Sequence, residues 1–327
     1  MPKTRWGILA PGHIARGFVA GLKVIEDAEL YAVASRSHEK AQEFTQEFGF
    51  QKAYGSYDEL ANDPDVDLIY VATPHHLHFE NTMMCLQNGK AVLCEKPITI
   101  NSKQLEILVK TARDNKVFLM EAVWTRFLPG IGKIFQMIGE GHIGNLKMLN
   151  ADFGFKAPYN PESRLFNPVY GGGSLLDIGI YPVFLSLLLL GYPKEIKAVA
   201  VKAPTGVDES VSISLGYESG ALASLHCTFA TFTTTDANIY GDQGKIQLRQ
   251  QWFRPAAVLV SRHNEKQEEY EFPALANGYE YEAMEVMQCL NKGLTESAIL
   301  GLDFSLQLMR LLDAIRKECN IVYPDYD

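Results

Sequence analysis

Short apolar runs alternate with amphipathic segments over roughly the first 120 residues of the chain. Each run is uninterrupted, which is typical of a strand that helices cover on both faces. We predict buried strands at residues 6–10, 30–34, 68–72, 91–94 and 117–120. The intervening segments have helical spacing and predict helices over residues 14–24, 38–48 and 102–115. Strands that alternate with helices in this way form a parallel, doubly wound sheet.

The pattern changes after about residue 122. Residues 211–215 alternate strictly between apolar and serine side chains, so this strand is predicted to have one buried face and one open face. Strand-like runs follow at 221–229 and 231–239, with turn signals at 218–220 and 241–244. Adjacent strands with short turns predict a mostly antiparallel sheet. Helices are predicted at 279–293, at 303–318 and in the apolar segment 174–191, which we expect to be buried.

These patterns predict two domains, residues 1–121 and residues 122–327. The composition is that of an ordinary globular protein, with 47% hydrophobic and 21% charged residues. The net charge of −9 argues against a nucleic-acid partner. We expect no membrane span, because the apolar part of 174–191 is interrupted by Asp177, Gly179 and Pro182.

The five cysteines have no CxxC spacing, which predicts reduced thiols rather than disulfides or a zinc site. The first residues lack the apolar core of a signal peptide. We therefore expect a cytoplasmic protein.

The loop after the first strand reads Ala10-Pro11-Gly12-His13-Ile14-Ala15 and leads into a helix. Small residues at these spacings match the dinucleotide-binding fingerprint, with alanine at the first and third positions. Gly12 stands where the backbone must approach a pyrophosphate. The pattern alone is weak, and its position between a strand and a helix strengthens it.

The second strand ends at Ser35 and Arg36. NAD enzymes usually place a carboxylate at this tip to bind the ribose 2′-hydroxyl, whereas an arginine suits the 2′-phosphate of NADP. No Asp or Glu stands there, so Arg36 favours NADP. The alternative is that Arg36 is an ordinary surface arginine.

Lys96 follows a buried strand, in the segment Val92-Leu93-Cys94-Glu95-Lys96-Pro97. The carboxyl ends of parallel strands face the ligand crevice. Lys96 is therefore the first candidate for proton chemistry.

Together these residues resemble the Gfo/Idh/MocA oxidoreductases, the family of glucose–fructose oxidoreductase and inositol dehydrogenase. The resemblance rests on the Gly12 loop, Thr73-Pro74 with His78, the Glu95-Lys96-Pro97 tripeptide and the segment from Gly171 to Tyr181. It covers nearly the whole chain, and the Glu-Lys-Pro tripeptide is its most specific part.

The chain has Tyr181 where many members have histidine. Together with Ala10 and the run from Met120 to Phe127, this tyrosine is similar to the subgroup of dimeric dihydrodiol dehydrogenases and NADP-dependent D-xylose dehydrogenases. The resemblance implies an N-terminal Rossmann domain, a C-terminal α/β domain with an open, mostly antiparallel sheet, and NADP as cofactor. It also implies that the open sheet face pairs with a second subunit, so we expect a homodimer.

Hydride transfer from an alcohol needs a group that accepts the hydroxyl proton. Tyr181 lies four residues after Asp177, so both would share one helix face. A free tyrosine is a poor base at pH 7, and a nearby ammonium such as that of Lys96 lowers its pKa. We favour Tyr181 as the acceptor, although Lys96 itself could accept the proton. Asp177 would orient Lys96 or bind a substrate hydroxyl; the structural alternative makes Asp177 and Tyr181 ordinary helix and core residues.

Three histidines, His75, His76 and His78, crowd the loop after Pro74, but no carboxylate or cysteine spacing accompanies them, so we predict no metal site. The resemblance implies that His78 lies beside the nicotinamide ribose. Aromatic faces suit sugar C–H groups or a diol ring, although Trp124 and Phe153 would serve equally well as core residues.

The predicted cofactor contacts are Ala10, Gly12, His13, Ile14, Ser35, Arg36, Thr73, Pro74, His78, Glu95 and Lys96. The predicted catalytic residues are Lys96, Tyr181 and Asp177, and the predicted substrate contacts are Trp124, Arg126 and Phe153.

The sequence therefore predicts an NADP-dependent dehydrogenase that acts on CH–OH or CH–CH groups of a small polyol, cyclic aldose or vicinal diol. One alternative is an NAD-linked inositol or sugar dehydrogenase. Another is a regulator that senses NADP(H) without turnover, for which a proton relay would have no use.

Overall fold

The computed structural model describes residues 3–262 and 265–327. The chain divides into two compact units. The first comprises Met1–Phe127 and Ala274–Leu306, and the second comprises Leu128–Pro273 and Gln307–Asp327. The first change of unit thus follows residue 127, whereas the sequence suggested residue 121. The segment Ala274–Leu306, which we had placed in the second domain, belongs to the first unit.

Strands and helices are numbered separately along the chain. The strands are β1 (Thr4–Leu9), β2 (Ala28–Ala34), β3 (Lys52–Tyr54), β4 (Leu68–Val71), β5 (Ala91–Glu95), β6 (Leu119–Ala122), β7 (Leu146–Gly154), β8 (Glu195–Lys202), β9 (Asp208–Gly216), β10 (Leu222–Thr228), β11 (Ala237–Gly241), β12 (Gly244–Leu248), β13 (Ala257–Arg262) and β14 (Glu268–Glu271). The α-helices are α1 (His13–Leu22), α2 (His38–Phe48), α3 (Tyr57–Asn62), α4 (His78–Gln87), α5 (Ser102–Asn115), α6 (Pro129–Gly139), α7 (Ile180–Leu190), α8 (Tyr279–Asn291) and α9 (Leu302–Glu318).

The sheet of the first unit has the order β3-β2-β1-β4-β5-β6, and every neighbouring pair is parallel. This is the strand order of a dinucleotide-binding Rossmann sheet. The order reverses between β1 and β4, and ligands of such sheets bind at the carboxyl ends of the strands at this point. The predicted parallel, doubly wound sheet is confirmed.

Local capping explains why α2 and α5 have the bounds that the sequence predicts. The Ser37 hydroxyl accepts a hydrogen bond from the Lys40 N–H at the start of α2, and α2 ends at Gly49, whose φ is 85°. The Asn101 side chain accepts from the Gln104 N–H at the start of α5. Serine and asparagine are favoured as the residue before the first turn of a helix, and glycine as the residue after the last turn. The sequence therefore indicates both ends of α2 and the start of α5.

An aromatic stack forms part of the core of the first unit. The Phe18 ring lies 3.8 Å from the Tyr70 ring, centroid to centroid, and 5.3 Å from the Trp6 ring. All three side chains are fully buried. They join α1 to β1 and β4, and so fix the helix whose N-terminus follows the Gly12 loop.

The sheet of the second unit has the order β14-β13-β12-β11-β7-β10-β9-β8. Its neighbouring pairs are antiparallel except β7 with β10. Along β9, Val211, Ile213 and Leu215 are buried while Ser212 and Ser214 are exposed, as the alternation predicted.

One predicted strand is shorter than expected, because β11 begins only at Ala237. The preceding residues form a loop that the Asp152 carboxylate holds, since it accepts from the N–H groups of Thr235 (2.9 Å) and Asp236 (3.1 Å). A side-chain acceptor here takes the place of the strand partner that the predicted strand at 231–239 would have had.

The buried helix predicted at 174–191 is present as α7, preceded by a π-helical turn at Leu175–Gly179. Every residue from Ser174 to Leu187 is buried. The helical stretch Pro168–Leu190 is long and apolar enough to cross a bilayer, but 83% of its most apolar window is buried inside the protein, which is the property of a core helix.

Candidate active site

The loop between β1 and α1 leaves space for a ligand. Gly12 has an ordinary φ of −83°, it is exposed, and a Cβ atom placed on it would meet no atom within 4 Å. The fold therefore does not itself require glycine here, whereas a ligand that approaches the backbone closely would. Ala10, by contrast, has a φ of 74°, the conformation for which the fingerprint normally supplies its first glycine.

The N-terminus of α1 is suited to an anion. Gly12 is its N-cap, no side chain caps it, and its first turn holds no acidic residue. His13 is exposed and Ile14 is half-buried in this turn. Free N–H groups and the helix dipole favour a phosphate group at such an end.

The tip of β2 presents Arg36 to solvent, while Ser35 is buried. The Ser35 hydroxyl accepts from the Ser37 N–H at 3.3 Å. Burial raises the pKa of Tyr57, and the positive charge of Arg36 opposes this increase. Arg36 therefore lies near Tyr57, at the edge of the sheet next to the Gly12 loop.

His78 joins the ends of two neighbouring strands. Its Nε2 lies 2.7 Å from the Thr73 carbonyl oxygen, and its Nδ1 lies 2.7 Å from the Pro97 carbonyl oxygen. The side chain is fully buried, and burial lowers its pKa to about 4 against the opposing effect of the two carbonyl groups. A neutral ring donates to only one of these oxygens, whereas a ring protonated on both nitrogens donates to both. His78 thus connects the Thr73-Pro74 loop to the Lys96-Pro97 turn, and Pro74 is exposed there.

Lys96 lies at the end of β5, half-buried, and its peptide bond to Pro97 is cis. The Glu95 carboxylate, 6% exposed, accepts from the Tyr70 hydroxyl and, at 3.2 Å, from the Lys96 N–H. The buried Glu121 of β6 accepts from the Ile98 N–H at 3.1 Å.

Burial raises the pKa of Glu121 to about 7, and the Lys96 ammonium opposes this increase. Two buried carboxyl groups therefore fix the turn that carries Lys96. Sequence reasoning identified neither the role of Glu121 nor that of Tyr70, because both read as parts of buried strands.

Trp124 and Arg126 contact the segment Ala274–Leu306, which belongs to the first unit. The Trp124 ring is 5% exposed and stacks on the Tyr279 ring at 4.6 Å. The Arg126 Nε donates to the Ile299 carbonyl oxygen at 3.2 Å. Both residues therefore have packing contacts in the first unit, and their contact with a substrate stays a prediction.

Asp177 and Tyr181 are each 7% exposed. Asp177 lies in the π-helical turn and Tyr181 is the second residue of α7. The Asp177 carboxylate accepts from the Arg164 Nη1 at 2.8 Å, and the Arg164 side chain is 57% exposed. Arg164 stands in a polar loop, and no pattern in the sequence pointed to it.

The Tyr181 ring belongs to an aromatic cluster. Its centroid lies 5.6 Å from that of Phe153 and 5.4 Å from that of Phe253. The Phe153 and Phe253 rings are parallel and stacked at 4.4 Å. The neighbouring Trp252 fixes this loop, because its indole N–H donates to the Asp152 carbonyl oxygen at 2.7 Å. Phe153 was predicted as a substrate contact, and Phe253 was not.

Among residues 3–262 and 265–327, no group of three or more histidine, cysteine, aspartate or glutamate side chains is arranged to hold a metal ion. The first unit thus holds Gly12, Arg36, His78, Glu95 and Lys96, and the second unit holds Asp177, Tyr181 and the phenylalanine pair.

Two family models match the chain. Residues 4–123 match that of an oxidoreductase family with an NAD-binding Rossmann fold, and residues 131–247 match that of the GFO/IDH/MocA C-terminal domain. Trans-1,2-dihydrobenzene-1,2-diol dehydrogenase of Xenopus tropicalis is 39% identical over 98% of this chain and 99% of its own length. The chain belongs to the Gfo/Idh/MocA oxidoreductase family. The human protein of the same name is 36% identical over 98% of each chain.

Solved structures of the family share the fold. A 3-ketoreductase from Actinomadura kijaniata, in complex with NADP and TDP-benzene, is 28% identical, with a TM-score of 0.87 over 97% of this chain and 98% of that chain. A levoglucosan dehydrogenase is 20% identical, with a TM-score of 0.89 over 98% of this chain and 97% of that chain. This Gfo/Idh/MocA member is therefore an oxidoreductase with an NAD(P)-binding Rossmann domain, as the motifs predicted.

Proposed function

We propose that the protein is an NADP-dependent dehydrogenase that oxidises a CH–OH group of a small cyclic diol, polyol or aldose. The observation that carries the proposal is Tyr181 in its aromatic cluster, four residues after an ion-paired Asp177. The relatives at 36–39% identity are named for a cyclic vicinal diol, which fits flat aromatic rings beside a hydroxyl-bearing side chain. Aromatic rings bury the apolar face of such a substrate and leave its hydroxyl groups to polar partners.

The first unit would hold the cofactor. The open space at Gly12 suits a pyrophosphate, and the uncapped N-terminus of α1 supplies N–H groups for it. The exposed Arg36 would bind the 2′-phosphate that distinguishes NADP from NAD. When bound, the nicotinamide accepts the hydride.

The protein's own residues would move the proton. Tyr181 would accept the proton of the reacting hydroxyl, and the positive charge of Lys96 would stabilise the phenolate that forms. Asp177, held by Arg164, would bind a second hydroxyl of the substrate. Glu95 and Glu121 would keep the Lys96 turn in place through their bonds to the Lys96 and Ile98 N–H groups.

A turnover screen tests the proposal. The purified protein is incubated with trans-dihydrodiols, aldoses and inositols, each with NADP and with NAD, and reduced cofactor is followed by its absorbance. We expect turnover of at least one cyclic diol or sugar, with NADP preferred. Preference for NAD would make the protein an NAD-linked dehydrogenase. Tight NADP binding without turnover of any of these compounds would contradict the proposal and favour a regulatory role.

A further inference from the structure

A buried carboxylate of the second unit caps the segment that carries Asp177 and Tyr181. Asp208, the first residue of β9, has no exposed surface. Its Oδ2 accepts from the Leu175 N–H at 2.6 Å and from the Ser174 hydroxyl at 2.9 Å. Ser174 is the residue before the π-helical turn; its backbone is already helical, with φ −69° and ψ −32°, and its side chain accepts no cap hydrogen bond.

Close contacts with Asp208 and with a second sheet residue, Cys227, explain two glycines of the segment. Gly173 has a φ of 122°, and a Cβ atom placed on it would lie 2.2 Å from the Asp208 Oδ1. A Cβ atom on Gly179 would lie 2.7 Å from the Cys227 Sγ of β10. The fully buried Tyr323 donates its hydroxyl hydrogen to the Gly172 carbonyl oxygen at 2.8 Å. The backbone of the segment therefore touches the sheet at both ends of the π-helical turn.

We propose that Asp208 is a positioning residue, which holds the π-helical turn against the sheet and so sets the orientation of Asp177 and Tyr181. π-helical turns are rare in proteins, and those that occur are often at functional sites. We infer that contacts from outside the helix stabilise this one. The first N–H groups of a buried helix also need acceptors, and a carboxylate is a strong one. This inference rests on the function proposed above.

The charge of Asp208 adds a pH dependence. Burial raises its pKa to about 6, while the Leu175 N–H, the Ser174 hydroxyl and the Arg316 guanidinium of α9 oppose this increase. Cys227 of β10 also faces Asp208, as do Cys319 and Tyr323 from the C-terminal segment. Protonation of Asp208 near pH 6 would weaken the hydrogen bonds that its carboxylate accepts from Leu175 and Ser174. Enzyme activity can be assayed in this pH range.

The variant Asp208→Asn removes the charge and keeps the shape. Asp242→Asn is the matched control, because Asp242 also accepts from one backbone N–H and one side chain, those of Asn145, at 3.0 and 3.2 Å in a surface turn. We expect Asp208→Asn to lower kcat roughly tenfold or more, and to leave the NADP dissociation constant within about twofold. Its kcat should also lose the acid limb near pH 6 that the wild type and Asp242→Asn show.

Hydrogen exchange of the peptide spanning residues 171–181 supplies a readout that needs no substrate. We expect faster exchange there in Asp208→Asn and wild-type exchange in Asp242→Asn, even if no diol or sugar is turned over. Should Asp208→Asn fail to fold, Ser174→Ala removes only one donor and leaves Asp208 ionisable. It should lower kcat several-fold and move the acid limb to higher pH, because the Ser174 hydroxyl helps to lower the pKa of Asp208. Wild-type kcat and pH profile in a folded Asp208→Asn or, failing that, in Ser174→Ala would overturn the inference.

Discussion

At the residue scale, neither Gly12 nor Ala10 is the residue type that its backbone conformation would favour. Gly12 has a backbone that any residue adopts and empty space where a side chain would be. Ala10 has a left-handed backbone without glycine. The fold therefore does not require glycine at position 12, whereas a cofactor that approaches the backbone closely would.

We expect Gly12→Ala to fold normally and to bind NADP at least tenfold more weakly, because the added methyl group occupies the space for the pyrophosphate. Gly132→Ala is the control, since a Cβ atom there also meets nothing within 4 Å but lies on α6, in the other unit. Thermal unfolding and a fluorescence titration with NADPH would measure both effects. Equal NADPH affinity in Gly12→Ala and the wild type would show that the pyrophosphate binds elsewhere.

Tyr181 and Lys96 are predicted to act on one proton. Tyr181→Phe removes only the hydroxyl group, and Lys96→Met removes the charge and keeps much of the stem. Each should lower kcat about a hundredfold or more, the scale of general acid–base catalysis. The double variant should be little worse than either single one, because groups that act as a unit are not additive. Near-normal turnover by Tyr181→Phe would assign the base to Lys96.

Arg36 is predicted to distinguish the cofactors. A charge-assisted bond to the 2′-phosphate contributes roughly 1.5–3 kcal/mol, which is about ten- to a hundredfold in affinity. Arg36→Ala should weaken NADP by that factor and leave NAD nearly unchanged, and Arg36→Asp should go further by repelling the phosphate. Dissociation constants of both cofactors for the three proteins are the measurement. Equal losses for NADP and NAD would mean that Arg36 does not bind the phosphate.

At the element scale, the sequence predicted elements with strong local signals and missed those that tertiary contacts stabilise. The helices α2 and α5 have capping residues and match their predicted bounds. The short strand β3, the helix α4 and the π-helical turn have no such signal in the pattern of apolar residues. Leu175, the first residue of the turn, donates its N–H to Asp208, which lies 33 residues further along the chain, and no local pattern contains that information.

The residues of the candidate site also fall into those that the sequence revealed and those that only the structure revealed. Gly12 and the Glu95-Lys96-Pro97 tripeptide were visible because each belongs to a short contiguous motif of the sequence. Arg164 and Phe253 were not, because each lies in a loop and is defined only by its contact with Asp177 or Tyr181. The resemblance to the family supplied the role of Tyr181, since a tyrosine in an apolar helix otherwise reads as a core residue.

The strand β6 contributes a buried carboxyl group whose titration should be visible in the stability. The pKa of Glu121 is raised to about 7 from its ordinary value of 4.5. Between these values the folded protein binds more protons than the unfolded chain, so the free energy of unfolding falls as the pH rises. Glu121→Gln keeps the acceptor for the Ile98 N–H and cannot ionise.

We therefore compare the free energy of unfolding of Glu121→Gln with that of the wild type at pH 5 and at pH 8. The difference, variant minus wild type, should rise by roughly 2–3 kcal/mol from pH 5 to pH 8. Urea denaturation at both pH values is the measurement. The exposed Glu43→Gln is the control and should show the pH dependence of the wild type. Parallel curves for Glu121→Gln and the wild type would mean that Glu121 titrates alike in the folded and unfolded chains.

At the scale of the whole molecule, the sheet of the second unit has one face that carries apolar side chains into solvent. The exposed fractions are 73% for Val199, 60% for Val201, 54% for Leu222 and 42% for Met148. The strand β9 between β8 and β10 presents small serines on this face. A group of exposed apolar side chains on one sheet face suits contact with a second copy of the same face.

We expect the protein to be a homodimer through this face, because a stable pairing buries about 800 Å² on each subunit and a broad sheet offers such an area. Light scattering on a gel-filtration column should give twice the chain mass of 36.5 kDa at micromolar concentration. The double variant Val199→Glu and Val201→Glu places two like charges against their copies and should yield monomers. Ile107→Glu on α5 of the first unit, where Ile107 is 51% exposed, is the control and should remain dimeric. A monomeric wild type would contradict the prediction, and a dimeric double variant would place the interface on another surface.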